Sequence, residues 1–100
     1  MNMLTKKRWN GNLYKIVYRK RAIKDIPNIK SAGLAEKVKN LVEILRENPF
    51  QNPPPYEKLV GELKGAYSRR INIQHRLIYQ VLEEDRTVRI ISMWTHYEIV

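Results

Sequence analysis

Seven side chains in this sequence could work on a phosphodiester: Glu57, Arg69, Arg70, Arg76, His96 and Tyr97, with Lys58 beside the glutamate. A carboxylate or an imidazole can take the proton from a ribose 2′-hydroxyl, and a second such group can protonate the departing 5′-oxygen. An arginine neutralises the charge that builds on the phosphorane. A tyrosine stacks on an exposed base or holds a phosphate oxygen. These types make a kit for cutting RNA without a metal. Composition alone does not single it out. Any basic sheet protein contains Glu, His and Arg, a terminal His is commonly solvated, and the Arg69-Arg70 pair could meet an acid such as Glu62.

Other chemistries are excluded or disfavoured. The 100 residues contain no Cys, which removes disulfides, zinc ribbons, iron–sulfur clusters and thiol catalysis. Two His residues leave little for a metal site, and no metal or other cofactor is expected. No apolar run approaches the ~20 residues that span a bilayer, and no apolar stretch comes after the basic start as a signal peptide requires. The expectation is a cytoplasmic chain with no membrane partner. The net charge is +9 and the isoelectric point about 10.0, beyond the ~2–8 usual for a small domain. Lys6, Lys7, Arg8, Lys15, Arg19, Lys20, Arg21 and Lys24 all precede the first acid, Asp25. A chain so charged is expected to meet a polyanion, an acidic protein, or both.

The elements that must position these residues can be read from pattern. Residues 1–11 have no clear period and read as a loose basic arm; residues 12–100 read as one domain. Residues 12–19 mix Leu13, Ile16 and Val17 with Tyr14 and Tyr18, as a strand does. Ala22, Ile23, Ile26 and Ile29 stand at helical spacing, so a helix either ends near Asp25 or is kinked by Pro27. Leu34, Val38, Leu41 and Leu45 form the clearest amphipathic stripe, ended by Asn48-Pro49. Residues 48–56, NPFQNPPPY, read as a stiff surface connector that positions the segment after it, or else as a polyproline ligand. Three strand-like runs come next, at 66–73, 75–82 and 87–94. In the first, Tyr67, Arg69, Ile71 and Ile73 fall on one face and Ser68, Arg70 and Asn72 on the other. The short gaps between runs predict antiparallel hairpins. The expected fold is therefore α+β, β-α-α-β-β-β, with two helices on one face of a small antiparallel sheet and the other face partly open. His75 should point away from Arg76 by strand alternation, and Tyr79 and Trp94 should belong to the core.

Residues 56–97 carry a more specific signal. The Pro-rich loop with Glu57 and Leu59, then Leu63, Gly65, Tyr67-Ser68-Arg69-Arg70-Ile71, His75-Arg76-Leu77-Ile78-Tyr79 and the closing His96-Tyr97 resemble the signature half of the YoeB (Txe) toxins, in the RelE/ParE superfamily. The upstream half fits more loosely, and the resemblance spans roughly residues 12–97. It implies a RelE-like fold and a ribosome-dependent mRNA endonuclease, the toxin of a toxin–antitoxin pair. By the same resemblance Glu57 is the general base, Arg76 steadies the transferring phosphate, His96 is the general acid and Tyr97 orients the substrate. Arg70 matches a second family arginine, and Arg69 and Lys58 are expected to bind RNA or its phosphates. Partners implied are an acidic, partly disordered antitoxin, the ribosome and its mRNA, and a possible homodimer.

The chain departs from the family at both ends. An extra basic arm with Lys6, Lys7, Arg8 and Trp9 precedes the first strand, and Glu98-Ile99-Val100 come after Tyr97. Glu98 would tend to raise the pKa of His96, and the tail could narrow access to it. Two rival readings remain: a ParE-like toxin directed at DNA gyrase, and a basic module that binds RNA through phosphate contacts without cutting it.

Overall fold

The structure, a computed structural model, describes residues 13–96, the last two through their backbone. The basic arm, Tyr97 and the Glu98-Ile99-Val100 tail lie outside the described residues. The elements are β1 (Lys15–Tyr18), α1 (Lys20–Ser31), α2 (Ala35–Glu47), β2 (Glu57–Lys58), β3 (Tyr67–Arg70), β4 (His75–Leu82) and β5 (Thr87–His96). Single 3-10 turns cover Gly61–Leu63 and Glu83–Asp85. The strands form one sheet in the order β1-β5-β4-β3-β2.

The α+β reading holds, with two changes in the sheet. It has five strands rather than four, because Glu57–Lys58 pairs antiparallel with β3. Two residues carry no readable period, so this strand has no sequence signature. The sheet is also mixed rather than wholly antiparallel. β1 runs parallel to β5, Lys15 opposite Thr87 and Tyr18 opposite Ile90. Parallel neighbours need a long connection, and here everything from α1 to β4 supplies it.

Both helices lie on one face. Ala22 and Ile29 of α1 and Val38, Leu41, Val42 and Leu45 of α2 bury against Leu77, Tyr79, Val88 and Ile90 of the sheet. Helix α1 continues through Pro27 instead of ending at Asp25. The hydrogen bond that proline removes would have ended on the carbonyl of Ile23, an exposed residue. The helix then closes on Gly33, whose φ of 73° suits glycine. Gly33 N–H bonds the Lys30 carbonyl and Leu34 N–H bonds the Ile29 carbonyl, a Schellman end.

The opposite face is partly covered. Leu59 and Ala66, from either side of the Gly61–Leu63 turn, bury with Ile78 and lean on Ile91. That cover buries Ile78 on the face opposite Leu77 and Tyr79, which pack toward the helices. His75 stacks on Trp94, ring centroids 3.7 Å apart and 14° from parallel.

The β4–β5 ladder is irregular. Ile78 pairs with Ser92 and Arg76 with Thr95, so Leu77 alone faces Met93 and Trp94. This is a β-bulge. Asp25 reaches it from α1, 5% exposed, and its Oδ2 accepts the Met93 N–H at 2.8 Å. Among the described residues no helix is long and apolar enough to cross a membrane.

Candidate active site

A cleft of about 730 Å³ opens on the sheet face away from the helices. Glu57 of β2, Ser68 and Arg70 of β3, and Arg76 of β4 line it, with Pro54, Pro55 and Tyr56 on one side and Ile73 at the other. Strand pairing explains the grouping. Glu57 stands opposite Ser68, and Arg70 opposite Arg76. Directly paired residues share a face, and alternation puts Ser68 and Arg70 on the same one. A carboxylate therefore faces two guanidinium groups across a floor of one hydroxyl.

Arg76 is held from behind. It is buried, and its Nη1 donates to the carbonyls of Asn72 at 3.0 Å and His75 at 3.3 Å. Asn72 also shapes the turn between β3 and β4. Its Oδ1 accepts the N–H groups of Gln74 and His75 at 2.9 and 2.8 Å. Asn commonly mimics a backbone turn in this way. The arginine thus springs from a turn that its own side chain and Asn72 brace.

Arg69 is not on this face, contrary to the expectation that it binds RNA. It is 1% exposed and points toward the helices, as Tyr67 and Ile71 do. Its Nη2 donates to the carbonyls of Pro49 at 3.0 Å and Gln51 at 2.8 Å, and its Nη1 to that of Pro54. Its Nε donates to the Tyr79 hydroxyl at 3.2 Å. The guanidinium also lies 5.0 Å from the Tyr56 ring centre. A buried charge is tolerated only with such partners. The Tyr79 hydroxyl in turn donates to the Pro49 carbonyl at 2.8 Å. Burial pushes the Tyr79 phenol up to about 12 although Arg69 pulls it down, so it stays a donor at ordinary pH.

Lys58 does not line the cleft either. It comes after Glu57 on β2, stands opposite Tyr67 and is exposed, so alternation turns it from the face that Glu57 occupies. The backbone of β5 brings Thr95 opposite Arg76 and His96 opposite His75. The strand holding His96 therefore runs past the arginine, and Tyr97 lies outside the described residues. Sequence reasoning passed over Ser68, Tyr56 and Ile73 as cleft residues. The alternation that set Ser68 beside Arg70 was the available signal for the first. The other two sit on loops, where no period operates.

Known proteins share both the sequence pattern and the fold. A family model described as "YoeB-like toxin of bacterial type II toxin-antitoxin system" matches residues 15–97. Toxin YoeB of Synechocystis is 37% identical over 65 residues, 65% of this chain and 73% of that protein. The structure of a YoeB/ParE toxin from Agrobacterium tumefaciens superposes with a TM-score of 0.74 at 28% identity, covering 83% of this chain and 99% of that one. The Staphylococcus aureus YoeB, solved in a heterotetrameric complex with YefM, gives a TM-score of 0.70 at 30% identity over 84% and 98% of the two chains. A YoeB from S. aureus has also been solved as a dimer.

Proposed function

The chain belongs to the YoeB-like toxins of bacterial type II toxin–antitoxin systems, and from that premise we propose that it is an endoribonuclease that cuts mRNA in the ribosomal A site and so stops translation. The observation that carries the proposal is the cleft in which Glu57, Arg70 and Arg76 meet on the sheet face free of helices. Glu57 accepts the proton of the 2′-hydroxyl, whose oxygen then attacks the adjacent phosphorus. Arg76, fixed by the Asn72 and His75 carbonyls, stabilises the charge gathering on the phosphorane. Arg70 holds the phosphate from the cleft's open side. His96 protonates the 5′-oxygen as its bond to phosphorus breaks, and Tyr97 orients the substrate. The products are a 2′,3′-cyclic phosphate and a 5′-hydroxyl.

The toxin works in the cytoplasm, with the ribosome supplying the mRNA. Its antitoxin is an acidic segment that covers the cleft and neutralises part of the +9 charge. Free toxin pairs with a second copy, as the S. aureus dimer does.

Primer extension on mRNA bound to programmed ribosomes tests the reading, beside a reaction without ribosomes. A cut in the A-site codon only when ribosomes are present is the expected result. Folded, antitoxin-free protein that cuts neither substrate overturns it in favour of a gyrase-directed toxin or a binding module.

A further inference from the structure

We propose that Arg69 is the positioning residue for Glu57, acting through the proline-rich loop rather than on the substrate; this rests on the reading of Glu57 as the general base. The strand that carries Glu57 is two residues long and, among the described residues, pairs only with β3. So short a ladder fixes a side chain weakly, since few hydrogen bonds offset the ordering cost. The loop before it is held from inside the protein. Arg69 gathers the carbonyls of Pro49, Gln51 and Pro54 onto one guanidinium, two residues from the tyrosine that precedes Glu57. Tyr79 donates to the same Pro49 carbonyl. Phe50, Tyr56 and Tyr67 pack edge to face or tilted around this knot.

Strand alternation makes β3 serve both sides at once. Ser68 and Arg70 floor the cleft, while Arg69 between them ties down the loop that delivers the opposing carboxylate. Arg69 is thereby coupled to the reaction without touching RNA. Lysine cannot replace it, because one ammonium cannot serve carbonyls spread around a planar fork.

The experiment is a kinetic cycle on programmed ribosomes with the full chain: wild type, Arg69→Lys, Glu57→Gln and the double variant. Amide exchange of Gln51, Tyr56 and Glu57 is monitored in parallel. Arg69→Lys should lower the single-turnover rate at saturating ribosomes by roughly 10²-fold, the scale of a ~1 Å misplacement. The ribosome concentration for half-saturation should stay put, and the loop amides should exchange faster. The double variant should cut no more slowly than Glu57→Gln alone. A higher half-saturation concentration with a shallower salt dependence overturns the proposal, because it marks a direct RNA contact. So does a loss that multiplies that of Glu57→Gln, which marks general damage. Wild-type-like cleavage by Glu57→Gln instead overturns the reading of the base, and loop exchange then decides the clamp alone: unchanged exchange in Arg69→Lys overturns it. Should Arg69→Lys not fold, Tyr79→Phe enters the same cycle with smaller changes of the same sign.

Discussion

Arg70 and Arg76 face each other across β3 and β4. Like charges directly opposed are unfavourable in a sheet, and the Glu57 carboxylate lies in the same cleft as both arginines. Arg70→Gln should slow cleavage on programmed ribosomes, since it removes one of the two cations that face the phosphate. Glu57→Gln and His96→Ala should each lower the single-turnover rate by ~10²–10⁴-fold, the usual contribution of a general acid or base. Tyr79 offers a pH prediction. Its phenol is pushed up to about 12 by burial, against 10.0 in the unfolded chain. The folded state therefore holds the proton more tightly, and the stability this contributes is full below pH 10 and lost as pH rises toward 12. Two units correspond to roughly 2–3 kcal/mol. Denaturant melts at pH 9 and pH 11.5 should show wild type losing more stability than Tyr79→Phe across that interval. At this scale the sequence was legible for Glu57, Arg70 and Arg76, which the cleft unites. Arg69 was misread because its charge outweighed its face. It alternates with Tyr67 and Ile71, and that pattern already set it among inward residues.

Elements with many local contacts were the readable ones. Helix α2 and strand β4 lie where their periodicity puts them, at Ala35–Glu47 and His75–Leu82. What pattern could not supply was anything made by distant segments. β2 exists only because β3 offers it an edge, and the run at 66–73 gives a strand of only Tyr67–Arg70 before the Asn72 turn bends it away. The bulge in β5 is likewise a product of packing, since the carboxylate on it comes from α1. Asp25→Ala leaves the Met93 N–H without this acceptor, which should cost about 1–3 kcal/mol in equilibrium unfolding. Asp25→Asn keeps a carbonyl oxygen there and should lose less. Because β5 goes on from the bulge to Thr95 and His96, the alanine variant should also cut mRNA more slowly at saturating ribosomes.

Across the whole molecule the net charge of +9 should govern association with a polyanion. Binding to programmed ribosomes should weaken steeply as salt rises, and Arg70→Gln should reduce the slope of log affinity against log salt by ~1, one phosphate contact fewer. Measuring that slope separates Arg70 from Arg69, whose replacement should leave it unchanged. The strand order has a different consequence. β5, the last described element in the chain, lies between β1 and β4 rather than at a rim. Among the described residues β1 has no other strand beside it, and α1 packs over both β1 and β5. During synthesis, then, β1 must wait for β5, with the apolar stripes of α1 and α2 uncovered in between. A nascent chain in which β5 is unfinished can form neither its core nor the wall beside Arg76. On the function proposed above, cleavage should therefore begin only once β5 has been made.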